Sequence, residues 1–248
     1  MKWLAVTDTW INPRSAGSHA RVAQIFEWLL AAGHQVCCLP LLAEPDRANR
    51  YLKELAQTAP RFSLAPPFYP ARKIPGQFDA LYLGNLWAPE TLRLGLELAR
   101  ELGSLGHAAP LVYDAMDCLF KGVAQYHAPA DRALLLAAEQ ELHDLASGSV
   151  FISAREQQDA IQALGLVAAR THVVTQAFSF QPALAARPYS ERQHLCFVGA
   201  VHPSNLEGLG WFIRDVFPRV LQQRPELELH ILGAGTDQLR LDCAQGLA

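Results

Sequence analysis

Lys2-Trp3-Leu4-Ala5-Val6-Thr7-Asp8 is the stretch from which the fold is read. Trp3 to Val6 is a continuous apolar run that stops at Thr7-Asp8, as a central parallel strand covered on both faces requires. After a loop with Pro13 and Gly17, Ser18 stands where a helix cap is expected. Val22, Phe26, Leu29 and Leu30 then recur at helical spacing until Gly33. Gln35 to Leu42 reads as a second strand and Asp46 to Gln57 as a surface helix. The alternation goes on with strand Ala80–Leu83, helix Pro89–Leu102, strand Pro110–Tyr113, helix Asp131–Leu145, strand Ser149–Ile152, helix Ala154–Leu164 closed by Gly165, and strand Thr171–Thr175. Six strands alternating with helices predict an α/β fold, a Rossmann-like doubly wound parallel sheet.

Around Phe178 to Arg192 the pattern lapses into Pro182, Ala183, Ala185, Ala186 and Pro188, a linker-like composition. A domain over residues 1–178, a linker over 179–192 and a second, incomplete Rossmann-like domain over 193–248 are expected. The second starts with strand Leu195–Val198, a helix capped at Asn205 with Leu206, Leu209, Ile213, Val216 and Val220 on one face, a kink at Pro218, and strand Leu227–Leu232 before Gly233-Ala234-Gly235. The Pro-rich stretch Ala65 to Pro75 reads as a long loop.

Composition narrows the function. Half of the 248 residues are hydrophobic and 18% are charged, a globular balance. A net charge of -3 with scattered Lys and Arg gives no basic stripe, which excludes a nucleic-acid partner. Cys37, Cys38, Cys118, Cys196 and Cys243 form no CxxC pair and have no histidines at zinc-finger spacing, so reduced thiols and no metal are expected. No signal peptide and no run of about 18 apolar residues is present, which predicts a cytoplasmic protein, at most peripheral to a membrane. Gly233-Ala234-Gly235 lacks the rest of a GxGxxG pattern, and NAD is rejected.

Four strings then resemble the family-4 (group 1) type of GT-B glycosyltransferase. The first runs from Asp8 through Asn12-Pro13, Gly17-Ser18 and Arg21 to Gly33-His34-Gln35-Val36. The second is Leu111 to Asp117. The third joins Glu139 and Glu141, Val150-Phe151-Ile152-Ser153, Glu156 and Val173-Val174. The fourth is Leu195-Cys196-Phe197-Val198-Gly199-Ala200, Pro203-Ser204-Asn205, Trp211-Phe212, Val216-Phe217-Pro218, Pro225 and Leu229 to Gly235. The resemblance implies a retaining, metal-independent transfer of a sugar from a nucleotide-sugar donor to a glycan, lipid-linked or small-molecule acceptor, with no further cofactor. Relatives hold the donor with a two-glutamate motif late in the second domain. Ala248 precedes any such segment, so this chain by itself is expected to be truncated there and inactive.

Each candidate residue has two readings. Gly199 would let the backbone approach the donor diphosphate, or serve turn geometry alone. Gly17 and Ser18 would line the cleft, or start a helix. Asp114 and Asp117, beyond a strand's carboxyl end, are the catalytic candidates, binding acceptor hydroxyls or positioning the sugar; turn formation and capping are the alternative. His202 would reach a phosphate, or be a loop histidine; Asn205 belongs to the same phosphate-side segment. His34 is expected to fix its turn. Asn85 and Trp87 would line an acceptor pocket, or pack in the core. Two other functions stay open: a noncatalytic binding or scaffold protein that self-associates through the incomplete domain, and a sugar-nucleotide epimerase.

Overall fold

The computed structural model describes residues 1–8, 11–13, 17–42, 50–65, 77–84, 86, 88–104, 109–116, 118, 128–176, 188–191, 193–201, 203–233 and 235–236. The chain divides into two compact units, Met1–Phe178 and Ser179–Ala248. In the first, the elements are β1 (Lys2–Thr7), α1 (Gly17–Ala31), β2 (Gln35–Pro40), α2 (Arg50–Thr58), β3 (Phe62–Leu64), β4 (Ala80–Gly84), α3 (Pro89–Ser104), β5 (Leu111–Ala115), α4 (Pro129–Leu145), β6 (Gly148–Phe151), α5 (Ala154–Leu164) and β7 (Thr171–Val173). All seven strands form one sheet in the order β3-β2-β1-β4-β5-β6-β7, every neighbour parallel. This is the Rossmann-like doubly wound α/β arrangement, its order reversing between β1 and β4.

The expected strand at Lys2 to Asp8 lies at the centre, with Leu4, Ala5 and Val6 wholly buried between two apolar layers. Phe26 of α1 and Leu52 of α2 pack with Ala5, Val36, Cys38, Phe62 and Tyr82 on one face. Leu92 and Leu96 of α3 and Leu135 and Leu142 of α4 pack with Val6, Leu39, Leu83, Tyr113 and Phe151 on the other. Opposite faces follow from right-handed crossovers that lead leftward from β1 and rightward from β4. β3 went unread in the sequence: at three residues it is too short to show a period. Helix α4 opens with a proline in its first turn and no side-chain cap, two residues ahead of the expected Asp131. Helix α5 has the expected ends, with Ser153 accepting from Glu156 N–H and Gly165 left-handed at φ 65°.

In the second unit, β8 (Leu195–Val198) and β9 (Leu229–Leu232) are parallel and joined through α6 (Pro203–Trp211), a π turn at Phe212–Val216, and α7 (Phe217–Gln223). The kink expected at Pro218 is this π turn: proline supplies no N–H to the preceding turn, and the helix widens to absorb the lost bond. Among the described residues no helix is long and apolar enough to cross a membrane. The expected loop over 66–75, residues 46–49 of the expected surface helix, most of the linker (179–187 and 192) and Cys243 lie outside the described residues.

His143 of α4 is the main titratable liability of the first core. It stacks 5.7 Å from Phe151, sets its Nδ1 2.8 Å from Ser149 Oγ, and leaves Nε2 without a partner. Burial lowers its pKa from the ordinary 6.5 to about 4. As pH falls from about 6.5 toward 4, the unfolded chain takes up a proton that the folded one refuses. Stability contributed at this site is therefore full above 6.5 and falls by roughly 3 kcal/mol across that window. Urea denaturation of wild type and His143→Phe should show wild-type stability falling relative to the variant by about 2–3 kcal/mol as pH drops from 7 to 4.5; parallel profiles would refute the assignment.

Candidate functional site

At the carboxyl end of β5, the catalytic candidate Asp114 is wholly enclosed by protein. Its neighbour on β4 is Gly84, in register with it. A Cβ on Gly84 would stand 2.3 Å from the Tyr82 Oη, so glycine is the residue that lets the Tyr82 ring lie over this point of the sheet. The Tyr82 hydroxyl thereby donates to Asp114 Oδ2 at 2.7 Å. From α1, Arg21 donates through Nε to Oδ2 at 3.0 Å and through Nη2 to Oδ1 at 2.8 Å, a bidentate pair. Arg21 Nη1 continues to the Val174 carbonyl at 2.6 Å, beyond β7. The side chains of Arg21 and Asp114 are 3% and 0% exposed, so neither charge is shared with solvent.

Burial, and the Asp114 charge beside it, push the Tyr82 hydroxyl well above its usual range and keep it protonated as a donor. Both Asp114 oxygens thus accept from Arg21, one of them also from Tyr82, and through these bonds Asp114 ties α1 to β4 and β5. Among the described residues, the cluster contains no free general base.

Gly17 is exposed and its carbonyl accepts from Gln176 Nε2 at 2.9 Å, a second tie between α1 and the segment after β7. Ser18 is half-buried and is the second residue of α1 rather than its cap. His34 sits in the turn after α1 beside the Met1 ammonium and the Trp3 ring. Beside the ion pair, a largely apolar cavity of about 350 Å³ opens between α1 and the sheet, lined by Trp3, Trp28, Leu29, Tyr82, Val112 and Asp114 itself. It is open because α4 and α5 pack on the other face of β5 and β6. Asp117, Asn85 and Trp87 lie outside the described residues.

In the second unit, Gly199 follows β8 and Gly233 follows β9. Gly199 N–H donates to Leu232 O at 2.9 Å, and a Cβ on Gly233, at φ 147°, would stand 2.0 Å from Gly199 O. Gly233 is therefore required by backbone contact, whatever binds there. A Cβ on Gly199 would press on the Phe197 ring at 3.0 Å and on Asn205 Nδ2 at 3.1 Å. Asn205 does not cap α6, which starts at Pro203; it donates through Nδ2 to Ala200 O at 2.9 Å and pins the loop after β8. The structure thus brings Gly199 and Asn205 together. His202 lies outside the described residues.

Tyr82 and Gly84 were missed by sequence reading, and Arg21 was quoted only within a string. The signal available was an arginine on the buried face of an otherwise apolar helix, which demands a buried acid.

No family model and no curated protein sequence matches the chain. Among solved structures, it is similar to Nmra, a negative transcriptional regulator, at TM-score 0.35 and 17% identity over 60% of this chain and 44% of that one. It is also similar to apo UGT2 of Phytolacca americana at TM-score 0.42 and 14% identity over 86% of this chain and 60% of that one. The chain spans less than two thirds of either structure, and likenesses of this size carry no functional argument; the fold class stands on the sheet order itself.

Asp114→Asn and Arg21→Met each strand a buried charge or donor and should each cost about 3–5 kcal/mol in urea denaturation. The double variant Arg21→Met/Asp114→Asn should cost clearly less than the sum of the two singles. Additive losses would mean that the two side chains are not coupled.

Proposed function

We propose that the chain carries the acceptor-side domain and the first βαβ segment of the donor-side domain of a GT-B-type glycosyltransferase. The observation that supports this best is the second parallel βαβ unit: its strand ends carry Gly199 and Gly233 where the N-terminus of α6 follows the loop pinned by Asn205. The N-terminus of a helix after a glycine turn suits the diphosphate of a nucleotide-sugar. The four family-4-like strings fall on these elements in order, which favours sugar transfer over other uses of a Rossmann-like sheet. Donor nucleotide-sugar and a glycan, lipid-linked or small-molecule acceptor are the partners in this reading, with Gly17, Ser18 and Asp117 on the acceptor side and His202 on the donor side.

One observation favours a second reading, a noncatalytic GT-B-derived binding module. Asp114, the acid that would face the acceptor, spends both oxygens on Arg21 and Tyr82.

Ligand-observed NMR with a panel of nucleoside diphosphates and nucleotide-sugars separates these readings. Saturable binding, weakened several-fold in Gly199→Val, is the expected result. Absence of binding across the panel would contradict the donor-site proposal.

A further inference from the structure

We propose that His194, Glu228 and His230 form a binding site for a divalent transition-metal ion of the zinc class at the amino-terminal ends of β8 and β9. Sequence reading had assigned no metal ligands, because the three residues come together only through the parallel register. Leu195 pairs with Leu229, so His194 lies opposite Glu228, and His230, two residues on in an extended strand, shares Glu228's face. The pairing is fixed by hydrogen bonds: Leu195 N–H donates to Glu228 O at 2.8 Å, and Glu228 N–H donates to His194 Nδ1 at 3.2 Å.

The ligand atoms of all three residues lie within 4.8 Å of one another. His230 Nε2 is 3.3 Å from Glu228 Oε2, and His194 Nδ1 is 4.0 Å from the same oxygen. Bonds of 2.0–2.1 Å to a tetrahedral zinc ion put neighbouring ligand atoms about 3.4 Å apart. One edge is thus already at coordination length, and the others need only side-chain rotation, with His194 releasing its long bond from Glu228 N–H. The two imidazoles meet edge to face, 5.4 Å between centroids and 76° between planes.

His194 is also the one non-glycine residue with positive φ among the described residues, at 67°. Such a backbone is uncommon outside glycine, and here it belongs to the residue whose ring meets Glu228. Two imidazoles and a carboxylate suit zinc, cobalt or nickel rather than calcium or magnesium, which prefer oxygen ligands. All three residues are exposed, so a fourth position would face water. An ion there would add a side-chain clip at the starts of two strands already paired through their backbones. The site lies at the opposite strand ends from Gly199 and Gly233 and does not rest on the glycosyltransferase reading.

Cys196 is exposed and pairs with His230 across the strands, so a thiol must be separated from the histidines. The test titrates the full chain with Zn²⁺ by calorimetry and with Co²⁺ by visible absorption, beside Glu228→Gln, His230→Ala, His230→Gln and Cys196→Ser. One equivalent of Zn²⁺, roughly tenfold or more weaker in the Glu228 and His230 variants and unchanged in Cys196→Ser, is expected, with Co²⁺ spectra free of a thiolate charge-transfer band. All substitutions are at the surface, and far-UV circular dichroism checks that each variant is folded. No stoichiometric binding, equal binding by the Glu228 and His230 variants, or loss confined to Cys196→Ser would each overturn the site.

Discussion

A guanidinium and a carboxylate locked together out of reach of water constrain the whole first unit. Arg21 and Asp114 come from α1 and β5, and neither is tolerable in the interior without the other. Meeting that condition dictates the surroundings. Gly84 must lack a side chain so that Tyr82 can complete the acid's hydrogen bonds, and the chain after β7 must bring the Val174 carbonyl to the last guanidinium edge. A buried ion pair adds little net stability compared with apolar packing, but it penalises any arrangement that separates its partners. In a sheet whose faces are otherwise mostly apolar, that penalty helps to fix where α1 sits.

The same bond changes what Asp114 can do. A carboxylate at the end of a parallel strand is where acceptor chemistry is usually sought, and the position is right. Its environment also binds it into the fold, since both oxygens accept from Arg21 and one of them from Tyr82. In the second unit the glycines that would admit a phosphate are also required by packing, Gly233 against Gly199 above all. Position and residue type therefore support the sugar-transfer reading, while the contacts themselves are structural.

The fold was legible because its cause is local: apolar runs such as Trp3 to Val6, and stop signals such as Gly165, act over a few residues. Boundaries slipped where the ends are set by tertiary contact. Ser18 and Asn205 look like caps, but one lies inside its helix and the other reaches back to Ala200. The site was less legible because it is assembled from afar. Tyr82 meets Asp114 across adjacent strands and Arg21 meets it from a helix 93 residues away, so no spacing rule could pair them. His194 and Glu228 are brought opposite one another only by strand register, although the Glu-x-His alternation at 228–230 was visible in the sequence.

Arginine side-chain NMR examines the central bond directly. In ¹⁵N-resolved spectra at neutral pH, the Arg21 Nε–H should give a resonance that exchanges slowly with solvent, because it is buried and donates to Asp114. The signal should disappear or move to solvent-like exchange in Asp114→Asn. If every arginine Nε–H exchanges at the solvent rate in the wild-type protein, Asp114 is not sealed by Arg21, and its carboxylate is free for the acceptor after all.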